Sequence, residues 1–193
     1  MPGSARILAT SELRRLLAHA DQTRHPLRDR CIVLLSFKAA LRACEIAGLD
    51  WIMVTLASRS CPGSIMIERK ISKSGRKRQI PLHPQLGQAL KELHASYGCP
   101  QRGPVIRSER GQGPMTPASV VNWFGATYAK LGMAGCSSHS GRRTFITHAA
   151  RMLPKSGGSL RDIQELAGHR SLAMTSIYIE GQSTLQRKLV SLL

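Results

Sequence analysis

A change of period narrows the fold more than any other feature of this chain. Over most of its length apolar residues recur every three or four positions, the spacing of helices that bury one face. Around residues 64–82 the period drops to two: "SIMIER" and "RQIPL" alternate apolar and polar side chains, as half-buried strands do. The polar "KISKSGRK" between them reads as the connection of a hairpin, with Ser74 and Gly75 near its tip. A third strand near Ile52–Leu56 would complete a small sheet. The expected fold is therefore mainly α with a small three-stranded antiparallel β-sheet.

The helical stretches follow from their spacing. "TSELRRLLAHA" places Leu13, Leu16, Leu17 and Ala20 on one face behind a Thr10 or Ser11 cap. "PLRDRCIVLLSFKAALRACEIAGL" reads as a long helix broken near Ala39–Leu41, with a short helix after it that stops at Gly48. "PQLGQALKELHASY" lines up Leu86, Leu90, Leu93 and Tyr97. A Gly- and Pro-rich loop runs from Gly98 to Pro117 around a brief strand at Val105–Arg107. Thr116 as cap and Pro117 in the first turn start a helix lined by Val120, Phe124, Tyr128 and Leu131. Tyr97 and Tyr128 are thus read as core residues. "SHSGRRTFITHAARML" is helical, "PKSGGS" a turn, and "LRDIQELA" a helix ending at Gly168. In the last stretch, "STLQRKLVSLL", Leu185, Leu189 and Leu192 again stand at helical spacing.

Charge selects the partner. The 28 Lys and Arg residues against 11 Asp and Glu give a formal net charge of +17. A surplus of that size calls for a polyanion, and its spread through turns and helix starts favours nucleic acid over a membrane surface. No apolar run nears the roughly 20 residues of a bilayer span, and "MPGSARILAT" lacks the apolar segment of a secretory signal. An intracellular, cytoplasmic location with reduced thiols is expected. The five cysteines are irregularly spaced and contain no Cys-x-x-Cys pair. Cys136 and His139, with His148 downstream, do not complete a four-ligand zinc set. The four aspartates are dispersed, with no paired motif for two-metal chemistry, so neither metal nor cofactor is expected.

A phosphodiester can be opened without metal if a nucleophile attacks phosphorus while fixed cations hold the developing charge. A phenol conserves the bond energy as a phosphotyrosine. Arginine forks suit the phosphate oxygens, a tuned lysine can protonate the leaving oxygen, and histidines can serve as base or donor. The sequence carries these groups in order: Arg42 with Glu45 in "AALRACEIAGLDW", Lys73 in "KISKSGRKRQIPL", His139 and Arg142 in "HSGRRTFITHAA", and His169 with Tyr178 in "LAGHRSLAMTSIYI". By position alone Lys77 and Arg78 compete with Lys73 for the acid role. Glu45 is placed to support Arg42 across one helical turn.

Taken together these boxes resemble the tyrosine recombinase (phage integrase) family across nearly the whole chain. The likeness is to its Xer-like members, and to the fimbrial-switch invertases, which are little more than a catalytic domain. The resemblance implies that Tyr178 is the nucleophile and forms a 3′-phosphotyrosyl link. Arg42 and Arg142 would clamp the phosphate, Lys73 would be the general acid, and His139 and His169 would assist as base and phosphate donor. Arg69, Lys70, Arg76, Lys77, Arg78 and Arg143 are candidate DNA contacts, Arg143 with Glu165 as an alternative partner. Residues 1–193 would form a single catalytic domain, without the N-terminal core-binding domain of many members. The implied function is site-specific recombination by four protomers on two DNA sites, the free protein being a monomer, in a bacterial or mobile-element setting. A topoisomerase IB-like nick-and-reseal enzyme and a non-catalytic DNA-binding regulator are the rival readings. Ala40 stands where the family usually has a glycine before the Leu-Arg pair.

Overall fold

A computed structural model describes residues 5–58, 63–73 and 75–177. Ser74, expected near the hairpin tip, the nucleophile candidate Tyr178 and the "STLQRKLVSLL" stretch therefore lie outside the described residues. Among the described residues, eight helices flank one three-stranded sheet in the order α1 (Thr10–Ala20), α2 (Pro26–Lys38), α3 (Ala43–Ala47), β1 (Val54–Thr55), β2 (Ser64–Ile67), β3 (Arg78–Pro81), α4 (Pro84–Ser96), α5 (Pro117–Lys130), α6 (Ser140–Ser156), α7 (Leu160–Ala167) and α8 (Ala173–Ser176). No helix among them is long and apolar enough to cross a membrane.

The core is organised around α2. Its run from Cys31 to Phe37 is buried on every side, as expected of a helix that is apolar all round. Helices α1, α4 and α6 pack against it. The approach of α6 is close because residue 141 is glycine: a Cβ there would stand 2.2 Å from Ser36 Oγ and 2.7 Å from the Phe37 ring. A smaller cluster of Ile146, Ile163 and Ala167 joins α6 to α7.

The sheet has the order β1-β2-β3, antiparallel throughout, with Ile65 opposite Ile80 and both buried. Its first strand is shorter than the sequence suggests. Asp50 Oδ1 accepts from the Ile52 amide and winds Trp51–Met53 into a tight turn, leaving only Val54 and Thr55 to pair. Likewise Val105–Arg107 is no strand; this loop makes isolated pairings, Asp50 with Pro104 and Arg107 with Pro114.

Helix ends follow local chemistry with two departures. Thr116 Oγ1 accepts from the Ser119 amide and Pro117 occupies the first turn of α5, as the sequence predicts. At α1 the flanking residue is Ala9, so neither Thr10 nor Ser11 is the cap; Glu12 reaches back to the Ala9 amide at 2.9 Å. Helix α6 continues through Pro154 to Ser156 where "PKSGGS" suggests a turn, because a proline in the last turn sacrifices a single hydrogen bond. Gly157 then closes the helix in the left-handed conformation, at φ 66°.

Candidate active site

Arg42 enters through the break after α2. Ala40 takes a left-handed conformation (φ 54°), which turns the chain so that Arg42 becomes the residue flanking α3. There Glu45 Oε2 accepts from the Arg42 amide at 2.9 Å, and Arg42 Nη1 lies 3.3 Å from Oε1. The expected support of Arg42 by Glu45 is thus present. Most of the work of neutralising Glu45, however, falls to Arg78. Its Nη1 and Nη2 donate to Oε1 and Oε2 at 2.8 Å each, in the two-pronged geometry that only a guanidinium provides. Burial alone would raise the Glu45 carboxyl; the two arginines outweigh it and hold the group below the usual carboxylate range.

The end of α7 forms the second wall. Its last carbonyls need partners, and two arginines provide them. Arg142 donates to Ala167 O at 2.6 Å and to Ala40 O at 2.7 Å, while Arg78 Nε donates to Leu166 O at 3.1 Å. Arg142 therefore ties the break that presents Arg42 to the turn that presents His169. Gly168 ends the helix at φ 61°, and His169 follows, its Nδ1 2.9 Å from Thr175 Oγ1. Burial, then Arg142, Arg42 and Arg78, push the His169 imidazole down to about 4, so it is neutral at physiological pH.

His139 stands exposed just before the first residue of α6. Partial desolvation, with Arg142, Arg42 and Lys73 nearby, lowers its pKa as well. Lys73 reaches the same place from the sheet. The connection from β2 to β3 is not a simple tight turn: Ile71 and Ser72 amides bond back to Glu68 O and Arg69 O, winding the chain. This wound loop seats on α3 where residue 48 is glycine, since a Cβ there would come 2.5 Å from Ile71 Cγ2. Lys73, Arg42, Gly168, Arg170 and Met174 line one hollow of about 340 Å³. Arg170 is a member that the sequence reading missed. Its place directly after His169 was the available signal.

The remaining basic candidates divide. Arg69, Lys70 and Arg76 are exposed, and Lys77 is exposed while pairing with Glu68 at 2.9 Å. Arg76 and Lys77 share a second, polar hollow of about 720 Å³ with Arg161, Gln164 and His169. Two candidates have partners inside the protein. Arg78 is buried, with every prong of its guanidinium committed inside the protein. Arg143 donates to Ala5 O and so fastens the N-terminal segment, while Glu165 pairs with Arg161.

Two of the three tyrosines are accounted for. Tyr128 is 2% exposed, and burial pushes its phenol up beyond the ordinary range. The Tyr97 ring lies under the Arg107 guanidinium, 3.8 Å from it, in a hollow shared with Arg24 and Arg28.

Comparison with known proteins places this arrangement. The sequence profile described as "Phage integrase family" matches residues 6–184. The tyrosine recombinase XerC of Xylella fastidiosa (strain 9a5c) is 32% identical over 174 residues, 90% of this chain and 55% of the relative. That of Myxococcus xanthus is 30% identical over 162 residues, 80% of this chain and 50% of the relative. The chain thus spans about half the length of these relatives. Among solved structures, the Tn1549 transposon integrase in complex with a circular intermediate DNA superposes with a TM-score of 0.76 at 16% identity, over 99% of this chain and 67% of that one. XerA recombinase gives 0.73 at 21% identity, over 99% and 66%.

Proposed function

The chain belongs to the phage integrase family, and from that premise we propose that it cleaves and rejoins duplex DNA at specific sites through a 3′-phosphotyrosyl intermediate on Tyr178. The observation that carries this reading is the convergence of Arg42, Lys73, His139, Arg142 and His169, from four separate stretches of sequence, around one cationic centre. Relatives named tyrosine recombinases support it over a topoisomerase-like or purely DNA-binding role.

In this reading the Tyr178 phenolic oxygen attacks the scissile phosphorus, and the bond to the 5′-oxygen breaks. A neutral histidine, His139 being the more exposed, takes the phenolic proton. Arg42 and Arg142 balance the charge that builds on the non-bridging oxygens. Lys73 gives a proton to the departing 5′-oxygen, leaving a free hydroxyl. Rejoining reverses the step: a 5′-hydroxyl attacks the phosphotyrosine and the phenol is released. The exposed Arg69, Lys70, Arg76 and Lys77 contact neighbouring phosphates and fix the register of the duplex. Exchange between two sites uses four copies, assembled on DNA from single copies in solution. The charge is balanced by the chain's own cations, so the steps require no metal.

The test uses a supercoiled plasmid bearing paired copies of the DNA that flanks this protein's own gene, incubated with the protein in EDTA. Rearranged circles are the expected product. Relaxation regardless of the inserted DNA would identify a nick-and-reseal enzyme. Retarded but intact plasmid would identify a regulator.

A further inference from the structure

Two arginines stand within reach of one buried carboxylate, and they share it unequally. Glu45 is fully buried, and both its oxygens are held by Arg78 at 2.8 Å. Arg42 makes one longer contact of 3.3 Å to the same group, and among the described residues its guanidinium has no other hydrogen bond or ion pair. Arg78 is itself fixed by Leu166 O, and the Gly168 turn rests on it, since a Cβ on Gly168 would come within 3.0 Å of Nη1. A buried carboxylate left short of donors takes the nearest cation. Without Arg78, the nearest cation is Arg42.

We propose that Arg78 is a positioning residue: it saturates Glu45 and so keeps the Arg42 guanidinium available to the scissile phosphate. This rests on the reading that Arg42 binds that phosphate. Arg78 touches no reacting atom. It sets where Arg42 points by removing the competing ligand, and it holds the His169 turn against β3 in the same stroke.

The test compares wild type, Arg78→Met, Arg78→Met with Glu45→Gln, and Arg78→Lys, all well below their melting temperatures. Two readouts are taken: single-turnover cleavage of a nicked duplex, and the ¹⁵N spectrum of the arginine side chains with Arg42 assigned. In Arg78→Met, Arg42 locks onto Glu45, its Nη protons split into distinct slow signals, and cleavage falls by roughly a hundredfold, the scale of one lost oxyanion donor. Adding Glu45→Gln removes the charge that captures Arg42, so its signals average again and cleavage recovers at least about tenfold, although no ion pair has been restored. Arg78→Lys, whose single ammonium cannot hold both oxygens, falls between and covers the case in which Arg78→Met does not fold. An Arg42 spectrum identical in wild type and the Arg78 variants overturns the proposal, as does a double variant no faster than Arg78→Met. If Arg42 locks as described but wild type cleaves nothing, the recombinase reading fails while the positioning role stands.

Discussion

The inner wall of the site and the outer surface of the β2–β3 connection are both rich in basic residues, yet the two regions use charge in opposite ways. Inside, Arg78 and Arg142 are buried, and their planar forks span segments far apart in sequence. Outside, Arg69, Lys70, Arg76 and Lys77 stand in solvent, with Glu68 as the local counter-charge. Inner charge buys geometry, at the cost of desolvation that only good pairing offsets. Outer charge provides salt-dependent attraction and little shape. Lys73 crosses the boundary: exposed like its neighbours, it faces the inner hollow with Arg42.

The largest effect is expected at that crossing. Lys73→Ala should slow cleavage by roughly a hundredfold to ten-thousandfold, the usual scale for a lost general acid. A substrate whose bridging 5′-oxygen is sulfur should restore most of the rate, because a thiolate leaves without a proton. Rescue of Lys77→Ala in place of Lys73→Ala would assign Lys73 to the outer group. Arg42→Ala should lose about a hundredfold to a thousandfold on both substrates, since the proposed mechanism has it stabilise phosphorane charge and not the leaving group. Sulfur rescue of Arg42→Ala would blur the division between the two roles.

The outer residues should show the converse pattern. Arg76→Ala and Lys70→Ala should leave the rate at saturating DNA nearly unchanged while weakening binding. The slope of log affinity against log salt should fall by about 0.9 for each phosphate contact removed. A rate loss that saturating DNA does not repair would move the residue into the inner group.

What the sequence showed and what it hid divides along the same line. Local period marked the helices and the hairpin, and Thr116-Pro117 marked the start of α5, because these depend on neighbours a few residues away. The boxes holding Arg42, His139, Arg142 and His169 were readable as a set, and the structure brings those residues together. Arg78 was not readable. Within "SGRKRQIPL" nothing local separates it from Arg76 and Lys77, and the partner that decides its role, Glu45, lies 33 positions earlier. Arg143 was hidden similarly, by a contact to Ala5 O across 138 positions. The strand expected at Ile52 was lost to the Asp50 side chain, which captures the Ile52 amide and also the Gly103 amide of a distant loop.

A smaller effect concerns pH. The folded His169 titrates near 4 and the unfolded residue near its ordinary 6.5. Between these values the unfolded chain binds the extra proton, so this group makes stability fall as pH drops from about 6.5 toward 4. Thermal melts of His169→Gln over that range should show a shallower decline than wild type. Glu45, also held low by its partners, contributes at more acid pH with the same sign.

The smallest effect is expected at Ala40. Left-handed backbone costs an alanine roughly 1 kcal/mol. Glycine would relieve that strain but lose a buried methyl worth about 0.8 kcal/mol and gain unfolded-state entropy. Ala40→Gly should therefore shift stability by less than about 1 kcal/mol in denaturant melts and leave cleavage intact. A large loss would mean that the methyl, and not the turn, sets the position of Arg42.

The most direct measurement concerns Tyr178. A nicked duplex carrying the protein's own flanking DNA, from which the short fragment bearing the freed 5′-hydroxyl diffuses away, should trap a covalent complex in EDTA. Mass spectrometry of its digest should place the 3′-phosphate on the peptide containing Tyr178. Tyr178→Phe should abolish the complex, whereas Tyr97→Phe and Tyr128→Phe should retain it. A complex that survives Tyr178→Phe, or a phosphate mapped to any other residue, would contradict the account.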